Sequence, residues 1–131
     1  MQFKDDHKNS WKISSKTIDK SWGYEILIGT IDGIHSKVLF MRSGQSNSLK
    51  YYKTKTEILF LRKGKIKVVH GCEYTLQHES QFPYEVTILE PGEGMTIQAE
   101  CPYQVFAIED SEIYELGDKS SDQRITITRN Q

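Results

Sequence analysis

The chain has 131 residues, 27% of them charged, and a formal net charge of −1. This length suits one domain with its own core, and the near-zero charge argues against a nucleic-acid partner, which needs a basic surface. No apolar run approaches the roughly 18 residues of a membrane span, and residues 1–15 lack the apolar segment of a signal peptide, so we expect a cytoplasmic protein with no membrane partner.

Short runs of β-branched and aromatic residues, separated by Gly, Asp, Asn and Ser, predict many strands, whereas helical periodicity is weak throughout. The predicted strands are 11–14, 23–28, 37–42, 48–52, 57–62, 65–70, 85–89, 95–98, 103–109, 112–116 and 124–128. The polar segment 71–83 is predicted to be a long loop. Many short strands with frequent turn residues are typical of a β-sandwich or barrel.

We predict one domain over 1–131, with an N-terminal arm or extra strand at 1–19, a core at 20–117 and a C-terminal arm at 118–131. In the predicted strand 57–62 both faces are largely apolar, which indicates a central strand or a subunit contact. An extra N-terminal strand also offers a sheet edge for pairing with a second copy.

The cysteines and histidines show no metal-ligand spacing. Cys72 and Cys101 are predicted to be free thiols, although one bridge is possible if their strands are neighbours. We predict that each histidine is structural or exposed. The four histidines are His7, His35, His70 and His78.

The segment 44–64 carries a motif. Gly44, Glu57 and Gly64 are spaced like the two glycines and the glutamate of the first cupin motif, in which two histidines of a His-x-His pair lie between the first glycine and the glutamate. The chain thus resembles the cupin superfamily, but Lys50 and Tyr52 hold the two histidine positions. The resemblance implies an all-β jelly-roll barrel of two packed antiparallel sheets. Because cupins commonly pair, it also implies a homodimer, for which the sheet edge of an N-terminal strand would offer a contact.

A second segment is similar to the second cupin motif, in which a Pro-Gly turn is followed by a strand, a loop and a third histidine. Here the turn is Pro91-Gly92, and Tyr103 holds the histidine position. Cupin metal sites combine imidazoles with one carboxylate, but an ammonium has no lone pair and a phenol ionises near pH 10. We therefore expect no metal and no other cofactor.

Further features resemble the cupin domain of type II mannose-6-phosphate isomerases. The opening Trp22-Gly23 and the closing Asp122-x-Arg124 both match that domain. The resemblance implies a ligand of the sugar or sugar phosphate class. Arg124 is expected either to hold a phosphate through a bidentate contact or only to pair with Asp122.

The predicted ligand-binding residues are Lys50, Tyr52, Glu57, Tyr103 and Arg124. We expect Lys50 and Glu57 to form an ion pair in place of the metal, with the tyrosines supplying hydrogen bonds and an aromatic wall. The favoured function is non-catalytic binding of a sugar, sugar phosphate or nucleotide-like ligand. One alternative is a purely structural polar cluster. Another is a metal-independent carbohydrate or sugar-nucleotide isomerase or epimerase, with Lys50 and Tyr103 as acid and base, or with Lys50 as a Schiff-base nucleophile if burial lowers its pKa.

Segment 50–55 also carries three lysines and two tyrosines, a small basic and aromatic patch. We interpret this patch, which includes Lys53 and Lys55, as a solvated turn between strands. Attraction of a phosphate or an exposed base is the alternative.

Overall fold

Short antiparallel strands make up most of the regular structure in the computed structural model, which describes residues 7–128. No helix occurs in that part of the chain. The strands are β1 (Lys16–Lys20), β2 (Gly23–Ile31), β3 (Ile34–Met41), β4 (Lys50–Tyr51), β5 (Glu57–Lys63), β6 (Ile66–His70), β7 (Glu85–Leu89), β8 (Gly94–Ile97), β9 (Tyr103–Ala107), β10 (Ser111–Gly117) and β11 (Ile125–Thr126).

The strands form two sheets in which every pairing is antiparallel. The six-stranded sheet has the order β1-β2-β3-β10-β5-β8, and the five-stranded sheet has the order β11-β4-β9-β6-β7. The chain passes repeatedly from one sheet to the other, so β10 lies between β3 and β5, and β9 lies between β4 and β6. The prediction of an all-β fold with two packed antiparallel sheets is confirmed.

Every predicted strand except the first overlaps an observed strand. The prediction of a strand at 11–14 was wrong, since the first strand of the described chain, β1, begins at Lys16. β1 pairs with β2 from Lys16 opposite Leu27 to Lys20 opposite Gly23. The tight turn between β1 and β2 fixes this register. Trp11 is 78% exposed, so the aromatic residue that suggested a strand there lies largely in solvent.

The hydrophobic core fills the space between the two sheets. Alternation along each strand directs every second side chain inward, as the burial pattern of β5 illustrates. The fully or almost fully buried apolar side chains are Leu39, Met41, Leu59, Leu61, Ile66, Val68, Leu89, Val105, Ala107 and Ile113. They pack as one cluster, which also includes Trp22, Ile97 and Tyr103.

The outer face of the six-stranded sheet is apolar and exposed. Ile58, Phe60 and Leu116 are between 39% and 47% exposed there. Two aromatic pairs stack on the same face, Tyr24 on Phe40 at 4.6 Å and Phe60 on Tyr114 at 6.3 Å between ring centroids. The two apolar faces of β5 therefore differ, because one forms core and the other meets solvent.

The loop between β6 and β7 contains turns but no strand. Its first residues lie beside the segment that precedes β9, where the Gly71 amide donates a hydrogen bond to the Pro102 carbonyl at 2.9 Å. Cys72 and Cys101 are thiols on these two neighbouring segments. Between residues 7 and 128, no helix is long and apolar enough to span a membrane.

Candidate functional site

Strand register brings Lys50, Tyr103 and Glu57 together. Lys50 on β4 lies directly opposite Tyr103 on β9, in the five-stranded sheet. Glu57 begins β5 in the other sheet, and its Oε1 accepts a hydrogen bond of 2.5 Å from the Tyr103 hydroxyl. This bond joins the two sheets across the interior. Glu57 and Tyr103 are each 1% exposed, so both lie at the bottom of the site.

The expected ion pair between Lys50 and Glu57 was wrong. The Lys50 ammonium donates a hydrogen bond to the Ser48 carbonyl at 3.2 Å and lies 4.2 Å from the centroid of the Tyr103 ring. Its position opposite Tyr103 in the sheet directs the ammonium over that ring. The hydroxyl of the same tyrosine is already bound to Glu57, so the phenol separates the two charges.

Lys55 is the lysine that contacts Glu57. Its Nζ lies 3.6 Å from Glu57 Oε2 and 3.8 Å from the centroid of the Tyr52 ring. Lys55 is only 5% exposed, so our interpretation of this residue as part of a solvated turn was wrong. Its backbone amide, at 3.2 Å, and that of Thr54, at 2.9 Å, both donate to Asp122, which holds the turn against the C-terminal arm and directs the lysine inward.

A second buried carboxylate, Glu115 on β10, adjoins the first. The His35 Nε2 atom lies 3.6 Å from Glu115 Oε2 and 3.8 Å from Glu57 Oε2. The Lys37 ammonium lies 3.3 Å from Glu115 Oε2 and 3.5 Å from Glu25 Oε2. Glu25, Lys37 and Glu115 were not among the predicted site residues, and His35 was predicted to be structural or exposed. Strand parity carried a signal, because His35 and Lys37 share a face of β3 with the core residues further along it.

Gly117 makes room for this arrangement. In the register it lies between His35 on β3 and Glu57 on β5. A Cβ atom at position 117 would stand 2.8 Å from two atoms of the His35 ring and 3.2 Å from the Lys55 side chain. The absence of a side chain therefore lets the imidazole cross the strand toward both carboxylates.

The two carboxyl groups differ in proton affinity. Burial and the negative charge of Glu115 raise the pKa of Glu57, and the Tyr103 hydrogen bond opposes this only in part. Burial also acts to raise the pKa of Glu115, but its contacts with His35 and Lys37 and the positive charge of Lys50 outweigh burial and lower it to about 2. Glu115 is thus the ionised member of the pair, and Glu57 is the member that takes up a proton first.

Burial also sets the protonation of Lys50 and the tyrosines. It lowers the pKa of Lys50 to about 8, with Glu115 and Glu57 opposing the shift and Arg124 adding to it. Burial raises the pKa of Tyr103 well above its usual value, and that of Tyr52 as well, helped by the nearby carboxylates. Both phenols therefore stay protonated at neutral pH.

A cavity of about 280 Å³ opens above these groups. Lys50, Tyr52 and Arg124 line it, whereas Glu57 and Tyr103 lie beneath, behind the Lys50 ammonium. The other charged residues in its wall are Lys20, Glu25, Lys37 and Glu115. The structure thus brings all five predicted ligand-binding residues to one end of the interior, with three of them on the cavity surface.

Several solved structures share this architecture. KdgF from a Halomonas species superimposes with a TM-score of 0.66 and 13% identity over 79% of this chain and 87% of that one. A variant of Bacillus subtilis oxalate decarboxylase gives a TM-score of 0.76 and 14% identity, and the formate complex of the Lactobacillus farciminis enzyme gives 0.74 and 11%. The chain has a cupin fold. Both decarboxylase comparisons cover 93% of this chain, which spans only 34% and 38% of the two enzymes. No family model matches the chain, and no curated protein matches its sequence.

The Bacillus subtilis oxalate decarboxylase has Mn(II) centres. The residues of this cupin do not fit such an ion at the motif positions. The Lys50 ammonium has no lone pair. The protonated Tyr103 hydroxyl donates a hydrogen bond to Glu57, which is the only carboxylate at the motif positions. Tyr103 could bind a metal only by losing a proton that burial and the nearby carboxylates retain, and Lys50 only as its neutral amine.

A different group of donors within residues 7–128 lies close enough to share an ion. One ligand atom each from His35, Glu57 and Glu115 falls within 4.8 Å of the others. The same carboxylate oxygens, however, already lie within ion-pair distance of the Lys55 and Lys37 ammonium groups. The two lysines thus lie close enough to offset the charge of the carboxylates, while His35 Nε2, Glu57 Oε2 and Glu115 Oε2 have no hydrogen-bond partner within residues 7–128.

Proposed function

We propose that this cupin binds a small anionic molecule of the sugar phosphate class without a metal. The observation that carries the proposal is the Lys50 ammonium, which is buried at the cavity wall and has no carboxylate partner in the described chain. A buried charge without a counter-ion is costly unless something neutralises it. A bound anion would do so.

The balance of charge in the cavity supports an anionic ligand. Each of the buried carboxylates, Glu25, Glu57 and Glu115, contacts at least one lysine at 3.7 Å or less. Lys50 and Arg124 are left over, and both line the cavity. A phosphate accepts charge-assisted hydrogen bonds from both an ammonium and a guanidinium, and the planar guanidinium can bind it through two donors.

The rest of the wall suits a sugar. Ser21, Ser48 and Asn47 present polar groups to the cavity, and Trp22 and Tyr52 present aromatic surface. Small-molecule sites combine apolar and aromatic walls with a few polar groups that fix orientation. Hydroxyl groups of the ligand would form hydrogen bonds with the serines and Asn47, while the sugar ring would lie against Trp22 and Tyr52.

Calorimetric titration tests this proposal. We expect mannose 6-phosphate to bind the wild-type protein in buffer containing EDTA, and mannose to bind far more weakly. Lys50→Met and Arg124→Gln should each weaken the affinity about tenfold or more, because each removes a charge-assisted hydrogen bond. Lys63→Met, which removes an exposed lysine at the far end of β5, is the matched control. Failure of mannose 6-phosphate and of inorganic phosphate to bind, or equal binding by Lys50→Met, would refute the proposal.

A catalytic role is the second candidate, and the pKa of Lys50 is the observation that favours it. At a pKa of about 8 roughly a tenth of the amine is neutral at pH 7, enough for a general base. The Tyr103 hydroxyl points to Glu57 and away from the cavity, so the basic role would fall to Lys50 alone. Exchange of the C2 proton of mannose 6-phosphate in D2O, followed by NMR, would reveal such a base, and the binding proposal predicts no exchange.

We also propose that the protein is a homodimer joined through the outer face of the six-stranded sheet. Six strands spaced by about 4.8 Å give a face about 24 Å wide, and strands of about seven residues make it similarly long. This face is comparable with the roughly 800 Å² that each partner buries in a stable interface. Its centre is apolar and aromatic, and its border carries Arg62 and Glu112, so two copies would meet without net repulsion.

Light scattering after size exclusion tests the dimer. Phe60→Glu places a charge at the centre of the proposed interface and should yield monomers. Ile88→Glu is the control, because Ile88 is similarly exposed, at 43% against 39%, but lies on β7 in the other sheet. A monomeric wild-type protein, or dissociation by both variants alike, would contradict this interface.

A further inference from the structure

The lysines around the cavity fall into two kinds. Lys20, Lys37 and Lys55 each contact a carboxylate, at 3.7, 3.3 and 3.6 Å. Lys50 instead bonds to the Ser48 carbonyl and lies over the Tyr103 ring. An ammonium paired with a carboxylate keeps its proton, whereas one held only by a carbonyl dipole and a π face can release it. Lys50 is therefore the lysine best suited to react as a free amine.

The surroundings of Lys50 combine burial with access. The side chain is 5% exposed, yet it forms part of the cavity wall. Burial lowers its pKa to about 8; Glu115 and Glu57 oppose this shift, and the positive charges of Arg124 and Lys37 add to it. For Lys37 the balance is reversed: burial acts to lower its pKa, but Glu115 and Glu25 raise it. Nucleophilic amines in proteins are activated by desolvation together with a neighbouring cation.

We infer that Lys50 forms a reversible imine with a small carbonyl compound that carries one anionic group, which Arg124 binds. This inference rests on the proposed anion site and adds a covalent step to it. The neutral amine nitrogen attacks the carbonyl carbon, and the carbonyl oxygen takes up a proton to give a carbinolamine. Loss of that hydroxyl as water forms the C=N bond. Amine and carbonyl thus give imine and water, and no oxidant or reductant is needed.

The site that holds the ammonium also suits the protonated imine. The iminium keeps one positive charge close to the position of Nζ, so it retains the Tyr103 ring beneath it. Glu115 lies in the same cavity wall and stays ionised, which stabilises that charge. The carbonyl substrate would be an open-chain aldose phosphate or a 2-oxo acid, since both join a carbonyl to an anionic group.

Reductive trapping tests the inference. Wild-type protein is incubated with sodium cyanoborohydride and glyceraldehyde 3-phosphate, pyruvate or neutral glyceraldehyde, and intact mass and peptide mapping follow the adduct. We expect one adduct per chain, located on Lys50, forming at least about tenfold faster with an anionic compound than with glyceraldehyde. An adduct with glyceraldehyde 3-phosphate would indicate aldose phosphates as the substrate class, and an adduct with pyruvate would indicate 2-oxo acids. Lys50→Arg, which keeps the positive charge, should abolish the adduct. Lys53→Arg, at an exposed lysine nearby, should leave it unchanged.

Adducts spread over several surface lysines, or equal labelling of Lys50→Arg, would overturn the inference. Titration with glycerol 3-phosphate, which has no carbonyl, separates this failure from failure of the anion site. Binding of glycerol 3-phosphate without trapping of any carbonyl compound would leave the anion site intact and remove the imine. Absence of both would remove the anion site itself.

Discussion

The two ends of the barrel interior are built from the same strands but carry opposite chemistry. At one end β3, β5 and β10 contribute Leu39, Leu61 and Ile113, which are at most 3% exposed and pack together. At the other end the same strands contribute charged residues in the same inward-facing positions. Alternation decides that a side chain faces inward, but its position along the strand decides whether it joins the core or the site.

The difference has an energetic meaning. The apolar end stabilises the fold by removing hydrocarbon surface from water and by close packing. The polar end buries groups that water would solvate well, so its net contribution depends on how completely they are paired. Substitutions at the two ends should therefore change the free energy of unfolding in different ways, and even with different signs.

The largest effect is expected at the apolar end. Leu61→Ala removes a fully buried side chain and should lower the free energy of unfolding by about 2–5 kcal/mol, measured in urea. Leu116→Ala is the control, because Leu116 is 47% exposed on the outer face. If both substitutions had the same small effect, this end would not be the packed core described above.

Tyr103→Phe should cost about 1–3 kcal/mol at pH 7, because it leaves the buried Glu57 carboxyl without its donor. The pKa of Glu57 is already raised, so its ionisation costs stability as the pH rises above its unfolded value. Losing the Tyr103 hydrogen bond raises that pKa further. The cost should accordingly be smaller near pH 4 than at pH 7, whereas Tyr52→Phe should show no such dependence.

Lys50→Met should raise stability at pH 7 by about 1–3 kcal/mol, the reverse of a truncation in the core. Lys50 has a folded pKa of about 8, below the unfolded value of 10.5, so its burial costs stability at low pH. That cost disappears as the pH rises from about 8 to 10.5. Urea titrations at pH values from about 8 to 10.5 should show the stability advantage of the variant shrinking. A variant less stable than the wild type at pH 7 would show that Lys50 has a counter-ion. Lys55→Met, which leaves Glu57 without its lysine, should be destabilising.

Gly117→Ala is expected to have the smallest effect, about 1 kcal/mol, because the new methyl group must displace the His35 ring from 2.8 Å. A double-mutant cycle isolates this contact. In a His35→Ala background the same substitution should cost much less, because only the 3.2 Å approach to the Lys55 side chain remains. An unchanged cost in that background would mean that the methyl group clashes with something else.

The sequence predicted the fold well because alternation and turn residues act locally. It failed at β1, where Trp11 and Ile13 favoured a strand locally but the register of the β1–β2 hairpin placed pairing further along the chain. Local patterns contain no information about where a partner strand begins and ends.

The candidate site was predicted in part. Motif spacing identified Lys50, Glu57 and Tyr103, and the structure brings these three together. Motif spacing could not show which lysine pairs with Glu57, because that pairing depends on how the turn before β5 directs Lys55 inward. Glu115 was missed because it lies outside both motifs and comes close only through the pairing of β10 with β3 and β5.

Metal content is the most direct test of the claim that lysines and protonated tyrosines take the place of a metal at the polar end. Protein purified without an affinity tag or chelator would be incubated with iron, manganese, nickel or zinc, desalted and measured by elemental analysis. Our account predicts less than about a tenth of an equivalent of any of these ions. Close to one equivalent of metal, lost in Glu57→Ala or His35→Ala, would contradict it and would place a metal centre among His35, Glu57 and Glu115.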